Sequence, residues 1–398
     1  MDEEIVILGN GFDLSCELKS SYRNFFNKRY YGVYDKRTKH DFTNIGARCS
    51  DIVSEPFNFG GASTSKKQFE GINFWDLAVF KKDGAFGTWQ DFEGFIKSTL
   101  KTIDKSLDEL KKKYRTGPLS KIDLIDFIDI TQKIEGDNTL LPFIYMTMQF
   151  DQEVFSRTLT KENVSDFLLE ELIKFERTFC DYMTEEVSNS RYNYESEKLL
   201  KTIQSGKEYG IDSYVVTFNY TNPVHRNAYL TNNSEDGFLN HVHGDLYNRD
   251  IIFGINISDV SLNKKEFKHS YFNVPFFRKF TKTYRTLSLK NKYSLFRKKT
   301  KEIKFFGHSL GEADFSYFKV MFDSLNLYEG DLKLKFYYKN YQKGLDAKSQ
   351  QIVLVTNLLK QYEEGLEDEG NVNIPYSGYI FDKLRTEGRL SIINVEPI

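Results

Sequence analysis

The sequence predicts an α/β fold, a mostly parallel sheet with a large helical insertion between its first and second strands. Three observations predict it. The chain opens on Ile5-Val6-Ile7-Leu8, four consecutive apolar residues of the kind buried on both faces of a parallel sheet. A long middle region, roughly 90–205, carries apolar residues at helical spacing and no convincing strand. From residue 213 onward, β-rich runs alternate with loops and helical stretches, the pattern of parallel strands joined by crossovers.

The elements follow in order. After the first strand, Gly9-Asn10-Gly11 turns the chain, and Leu14, Leu18, Tyr22 and Phe25-Phe26 predict a helix over 14–30. Residues 31–88, rich in Gly, Ser, Lys and Asn, read as irregular or as a lid. Phe92, Phe95-Ile96, Leu100, Ile103, Leu107 and Leu110 mark one helix, and Val164, Phe167-Leu168, Leu172, Phe175, Phe179 and Tyr182 another, with a shorter helix expected at 119–134. Strands are expected at Tyr214–Phe218, Phe238–His243, Ile251–Phe253, Ile303–Phe306 and Leu332–Tyr338. Helices are expected from about Ala313 and over about 346–363, with short strands closing the chain. The division this implies is a sheet domain of 1–30 and 206–398, and an inserted domain of 31–205.

Composition narrows the function classes. A net charge of −2 argues against a globally basic nucleic-acid binder, and 35 Phe with 25 Tyr predict an aromatic-rich core. Cys16, Cys49 and Cys180 are scattered and form no CxxC pair, so they suggest a reducing compartment and no metal site. Asp2, Glu3 and Glu4 are the opposite of a basic leader, and no run of ~18 apolar residues is present. A cytoplasmic protein with no membrane span is expected. The aromatic helical block is expected to pack the sheet or another subunit, and a homo-oligomer is expected.

Four loops bear on the chemistry. Gly9-Asn10-Gly11 is neither a dinucleotide fingerprint, since Leu14 stands where Gly or Ala belongs, nor a Walker A loop, since no Gly-Lys-Ser/Thr follows. It can hold phosphate or simply turn the chain. Asn219 ends a strand, where ligand sites lie in α/β folds, although Asn before Thr-Asn-Pro is also ordinary turn chemistry. His241 and His243 share one face of a strand and suit either a metal pair or a general base; no third ligand is marked by spacing, and a structural His remains open. Gly307-His308-Ser309-Leu310-Gly311 matches the nucleophile-elbow pattern, yet no His follows Ser309 to complete a triad in that fold's order. A Ser hydrolase is therefore disfavoured, while Asp314 reads as a first-turn helix acid.

Taken together, GNGFDL, the W-x-D-F-E of Trp89–Glu93, FNYT, H-x-H-G, the FGIN of 253–256 and GHSLGEAD resemble the bacterial abortive-infection AbiH family, in order from residue 5 to about 318. More distantly, the loop order resembles the sirtuin-like NAD-consuming fold, which is Rossmann-like. That resemblance implies that Gly9, Asn10, Gly11 and Phe12 line the phosphate side. It implies that Gly307, His308 and Ser309 contact ribose or phosphates, that Asn219 orients ribose or water, and that His243 is the base. Asp13 becomes a ribose or water contact. Gly-Asn-Gly replaces Gly-Ala-Gly, Thr221 stands where an Asp often follows the Asn, and zinc-binding cysteines are missing. The missing zinc module points away from peptide deacylation and toward simple NAD hydrolysis to nicotinamide and ADP-ribose, while the Thr221 change counts against both.

The expectation is an antiphage effector with NAD as substrate rather than retained cofactor, answering to a phage-derived trigger. Nucleotide sensing without turnover is the alternative. A third reading comes from residues 263–304, where fourteen Lys or Arg face Glu266 and Glu302 with aromatics interleaved, a composition that can hold single-stranded nucleic acid. A solvated basic surface is favoured over it, and the acidic run Glu363, Glu364, Glu367, Asp368, Glu369 offers neutralisation.

Overall fold

The computed structural model describes residues 3–31, 45–54, 69–81, 89–113, 133, 140–148, 158–204, 212–224, 238–256, 274–287, 297, 299–311, 314–340, 346–368 and 379–395. Among these, six strands form one sheet in the order β3-β2-β1-β4-β5-β6: β1 Glu3–Leu8, β2 Ser213–Thr217, β3 Leu239–His241, β4 Thr300–Phe306, β5 Lys333–Tyr338 and β6 Leu390–Asn394. Every pairing is parallel. The protein is thus an α/β protein with a Rossmann-like sheet, whose order reverses between β1 and β4.

The first strand is central because its sequence suits no other place. Ile5, Val6, Ile7 and Leu8 are all fully buried, flanked by β2 on one side and β4 on the other. A buried ion pair enters this sheet. Lys304, opposite Val6 in the register of β4, is buried beside Glu4 at 2.8 Å and donates to the Ile203 carbonyl at 2.8 Å. A buried ammonium is tolerated only with such partners. On β4–β6, Phe305 stacks on Phe336 with centroids 4.6 Å apart, and Val355, Leu358, Leu359 and Tyr362 of the helix Ala347–Asp368 join the same core.

The chain divides into two compact units. One holds the sheet and comprises residues 1–20, 183–250 and 289–398; the other comprises 21–182 and 251–288. The division expected from sequence differs from this one over 21–30, 183–205 and 251–288.

The second unit is built on aromatic packing. Tyr22 of the helix Tyr22–Tyr31 lies 4.9 Å from Phe92 and 5.2 Å from both Phe179 and Phe253, ring centre to ring centre. The helices Trp89–Lys113 and Lys161–Asn189 supply Phe92 and Phe179. Arg29 clamps the buried Asp76 through two bonds of 2.7 and 2.6 Å, and the Tyr30 hydroxyl donates to the same carboxylate. Glu176 receives Arg285 in a bidentate pair and accepts the Phe253 N–H at 2.7 Å.

Several expectations about elements are corrected here. The helix expected over 14–30 is two helices, Asn10–Ser15 and Tyr22–Tyr31, separated where Glu17 takes a positive φ of 60°. Residues 31–88 are not simply irregular: the helices Ile45–Ser54 and Phe74–Lys81 lie within them, the second almost wholly apolar and buried. Ile251–Phe253 form no strand. Their apolar side chains are buried in loop conformation, followed by a single bridge from Ile255 to Thr281. A short apolar run signals burial but not its geometry. Among the described residues at the end of the chain, the helix Ile380–Thr386 leads into one strand, β6, where short strands were expected. The helix expected at 119–134 falls, apart from residue 133, outside the described residues.

Candidate functional site

Parallel strands deliver their following loops to one edge, so the loops after β1, β2, β3 and β4 gather at the carboxyl ends of the sheet. All four belong to the sheet unit. The cluster is best built from its backbone outward.

The loops after β1 and β4 meet backbone to backbone. Gly9 N–H donates to the Phe306 carbonyl at 3.1 Å and Gly11 N–H to the Gly307 carbonyl at 2.8 Å. A Cβ at Gly11 would lie 2.7 Å from the Gly307 Cα, and one at Gly307, where φ is +69°, would lie 2.2 Å from the Phe12 nitrogen. Glycine is therefore required here by chain-on-chain contact, whatever ligand binds. Those two N–H groups, expected to cradle phosphate, are directed into the protein. Phe12 is fully buried with its ring edge-on to Phe306, so it packs the loop base rather than lining a ligand. Asn10 accepts from the Ser20 hydroxyl at 2.6 Å, and Ser309 is exposed.

The loop after β2 is tied to this pair. Asn219 donates from Nδ2 to the Gly9 carbonyl at 2.9 Å. One amide hydrogen is thus directed inward, to the backbone of the loop after β1. The Asn219 carbonyl accepts from His241 Nδ1 at 3.1 Å, which fixes that imidazole; burial pushes its pKa down, so it stays neutral.

Asp13 sits in a closed ring of oxygens. Its Oδ1 is 2.8 Å from the Tyr192 hydroxyl, Tyr192 is 2.9 Å from the Thr221 hydroxyl, and Thr221 is 2.7 Å from Asp13 Oδ2. The Tyr192 and Thr221 hydroxyls both donate to the carboxyl, which favours its ionised form. Burial opposes and outweighs them, raising the Asp13 pKa to about 7.

The loops after β3 and β4 supply two imidazoles to one carboxylate. His243 Nε2 lies 3.1 Å from Asp314 Oδ1, and His308 Nε2 lies 3.4 Å from Asp314 Oδ2. Both rings are buried, and Asp314 is partly exposed. Phe218 separates the rings, edge-on to His308 at 4.5 Å and to His243 at 5.6 Å. Asp314 precedes the helix Phe315–Ser324 but makes no side-chain cap, because its carboxylate turns to the histidines instead. The first-turn acid inferred from sequence is therefore a histidine partner. Among the described residues, no group of three or more His, Cys, Asp or Glu could hold a metal ion.

The structure thus joins Gly9, Gly11, Gly307 and Asn219 in one bonded network, bonds Asp13 to Tyr192 and Thr221, and sets Asp314 between His243 and His308. Tyr192 was not marked by any sequence pattern, and Thr221 was visible only as a departure from an Asn-x-Asp spacing. The closing Asp of GHSLGEAD was the signal for Asp314. Two other motifs belong to the helical unit: Phe92 and Phe253 enter its aromatic core, and Glu93 pairs with Lys282 at 2.9 Å. In the basic stretch, Lys279, Lys282, Arg285, Lys301 and Lys304 pair with Asp166, Glu93, Glu176, Asp331 and Glu4 respectively. Lys264, Lys265, Lys268, Lys290, Lys292 and Lys298 lie outside the described residues. No described helix is long and apolar enough to cross a membrane.

A family model described as Bacteriophage abortive infection AbiH matches residues 5–338. No curated protein and no solved structure matches the chain.

Proposed function

The chain belongs to the bacteriophage abortive-infection AbiH family, and from that premise we propose that it acts in phage defence by hydrolysing NAD at the strand-end cluster. The observation that carries this reading is the His243–Asp314 bond of 3.1 Å, an imidazole held by a carboxylate in the loop after β3. A base so oriented can accept a proton from water. The sheet order reverses between β1 and β4, where nucleotides bind in folds of this kind.

Breaking the nicotinamide–ribose bond needs little from a side-chain nucleophile. The bond leaves toward a cationic pyridinium, and the remaining work is orientation and proton removal. In this reading water adds to the anomeric carbon as nicotinamide departs, and His243 takes the water's proton. Asn219 Oδ1 accepts from a ribose hydroxyl or from the water. Buried Asp13 is held by Tyr192 and Thr221 rather than touching ribose itself. Incubation of the purified protein with NAD, alone and with phage-infected lysate, should release nicotinamide and ADP-ribose in equal amounts. Intact NAD under both conditions would defeat the proposal.

Nucleotide sensing without turnover is kept as a second reading because one observation favours it. The Gly9 and Gly11 N–H groups and one Asn219 amide hydrogen are already engaged within the protein. Saturable NAD or ADP-ribose binding with no product would select it.

A further inference from the structure

The two edges of the sheet are built differently. At one edge β3 is three residues long and ends at His241 of the strand-end cluster. A strand that short offers little for another chain to pair with. At the other edge β6 runs Leu390-Ser391-Ile392-Ile393-Asn394 and pairs with β5 without a register shift. Charges, prolines and bulges are the usual means of blunting an edge, and these five residues contain no charge and no proline.

The register tells which backbone groups of β6 are engaged. The Arg389 carbonyl accepts from the Leu334 N–H at 2.7 Å, and the Val395 N–H donates to the Tyr338 carbonyl at 2.8 Å. In a parallel ladder alternate residues bond the same neighbour, so Ser391 and Ile393, lying between them, also turn their N–H and C=O to β5. Leu390, Ile392 and Asn394 turn theirs outward. Among the described residues, none of these three amides or three carbonyls has a partner.

We infer that β6 pairs with β6 of a second copy of this chain, antiparallel about a two-fold axis at Ile392, joining two six-stranded sheets into one. The pattern of outward groups selects that occupant. In an antiparallel pair, opposed residues exchange both bonds at every second position. Centred on Ile392, the outward residues oppose one another: Ile392 meets the partner's Ile392, and Leu390 meets the partner's Asn394. Every outward amide and carbonyl of both copies is then bonded. A two-fold contact brings identical charges together. Here it brings none, because Leu390–Asn394 is uncharged and Arg389 is already held by Glu387 and by the Leu327 and Leu332 carbonyls. Leu390 and Ile392 are half-buried against the core of their own sheet, and the second strand covers what they leave open. The two strands run in opposite directions, so the carboxyl ends of the two sheets face opposite ways and neither strand-end cluster is covered. The inference therefore stands apart from the proposed hydrolysis.

Ile392 meets its own copy, so it carries the test. Ile392→Lys or Ile392→Glu alone sets like charges across the axis, and an equimolar mixture of the two sets opposite ones. Light scattering on the wild type at about 50 μM should give twice the chain mass. Each folded variant alone should raise the dimer dissociation constant at least ~10-fold, and the mixture should associate at least ~10-fold more tightly than either variant. Amide exchange on the wild type decides even if the variants do not fold. The Leu390, Ile392 and Asn394 amides should exchange slowly in concentrated protein and quickly on dilution, while Ser391 and Ile393 stay protected in both. A wild type of single-chain mass would overturn the inference and leave the edge to an extended segment of another protein. A folded Ile392→Lys that dimerises as the wild type does would put the contact on another surface and overturn it too, as would edge amides whose exchange ignores concentration.

Discussion

Burial makes Asp13 keep its proton to higher pH than an exposed carboxyl would. Its pKa, raised from 3.8 to about 7 by burial, makes stability depend on pH in a definite sense. The folded state binds the proton more tightly than the unfolded chain, so its contribution is complete below about pH 4 and is lost as pH rises through 7. Relative to Asp13→Asn, which keeps the shape without the titration, the wild type should lose on the order of 2 kcal/mol of unfolding free energy between pH 5 and pH 8. Urea unfolding of both proteins at the two pH values measures it; parallel changes would mean that Asp13 is ionised in the fold. This residue was legible in sequence as a polar group after a strand turn, and its neighbours were not. Tyr192 is 179 positions away along the chain, and no local pattern encodes a contact of that span. Asn219 and His243 were legible because each follows a β-rich run, which places it at a strand end. The partner that orients His243 was hidden, because an acid at the start of a helix has an ordinary local explanation.

At the scale of elements, the stitched loops after β1 and β4 decide how the cluster is held. Gly307→Ala combines a positive φ with a Cβ 2.2 Å from the Phe12 nitrogen. It should destabilise the protein by at least ~2 kcal/mol and separate the two loops, seen as a lowered Tm and weaker nucleotide binding. Gly307→Ala with an unchanged Tm would show that the loops do not need this approach. Below them, the Lys304–Glu4 pair makes a different prediction. Lys304→Met leaves the Glu4 carboxylate buried without its cation and should cost about 3–5 kcal/mol, while Lys304→Met with Glu4→Gln should recover most of that loss. Denaturant titration of the three proteins reads the coupling. The strands were legible wherever apolar runs ended in Gly or Asn, as at Leu8, Thr217 and Phe306. Ile251–Phe253 misled because its burial is real while its ladder is missing: Phe253 gives its N–H to the Glu176 side chain instead of a neighbouring strand. A periodicity argument cannot see that a side chain has replaced a strand as partner.

For the whole molecule, the proposed chemistry and the aromatic core fall in different units. The residues proposed to act all belong to the sheet unit, and the aromatic core of the other unit uses Tyr22, Phe92, Phe175, Phe179 and Phe253 for packing. Phage defence should therefore depend on the strand-end residues out of proportion to their effect on stability. His243→Ala should abolish protection of cells in a phage challenge, while Tyr247→Ala, on an exposed side chain in the next turn, should leave it intact. Equal protection by both variants would detach the defence role from this site. Membership of the family was legible because short motifs recur in order across most of the chain, whereas the chemistry rests on a geometry that no single motif carries. The most direct measurement is product analysis on NAD with the wild type, Asn219→Ala and His243→Ala side by side. The account predicts stoichiometric nicotinamide and ADP-ribose from the wild type, and a loss of ~100-fold or more in each variant with Tm nearly unchanged. NAD that binds and is recovered intact from the wild type in the presence of a phage trigger, or full turnover by His243→Ala, would contradict it.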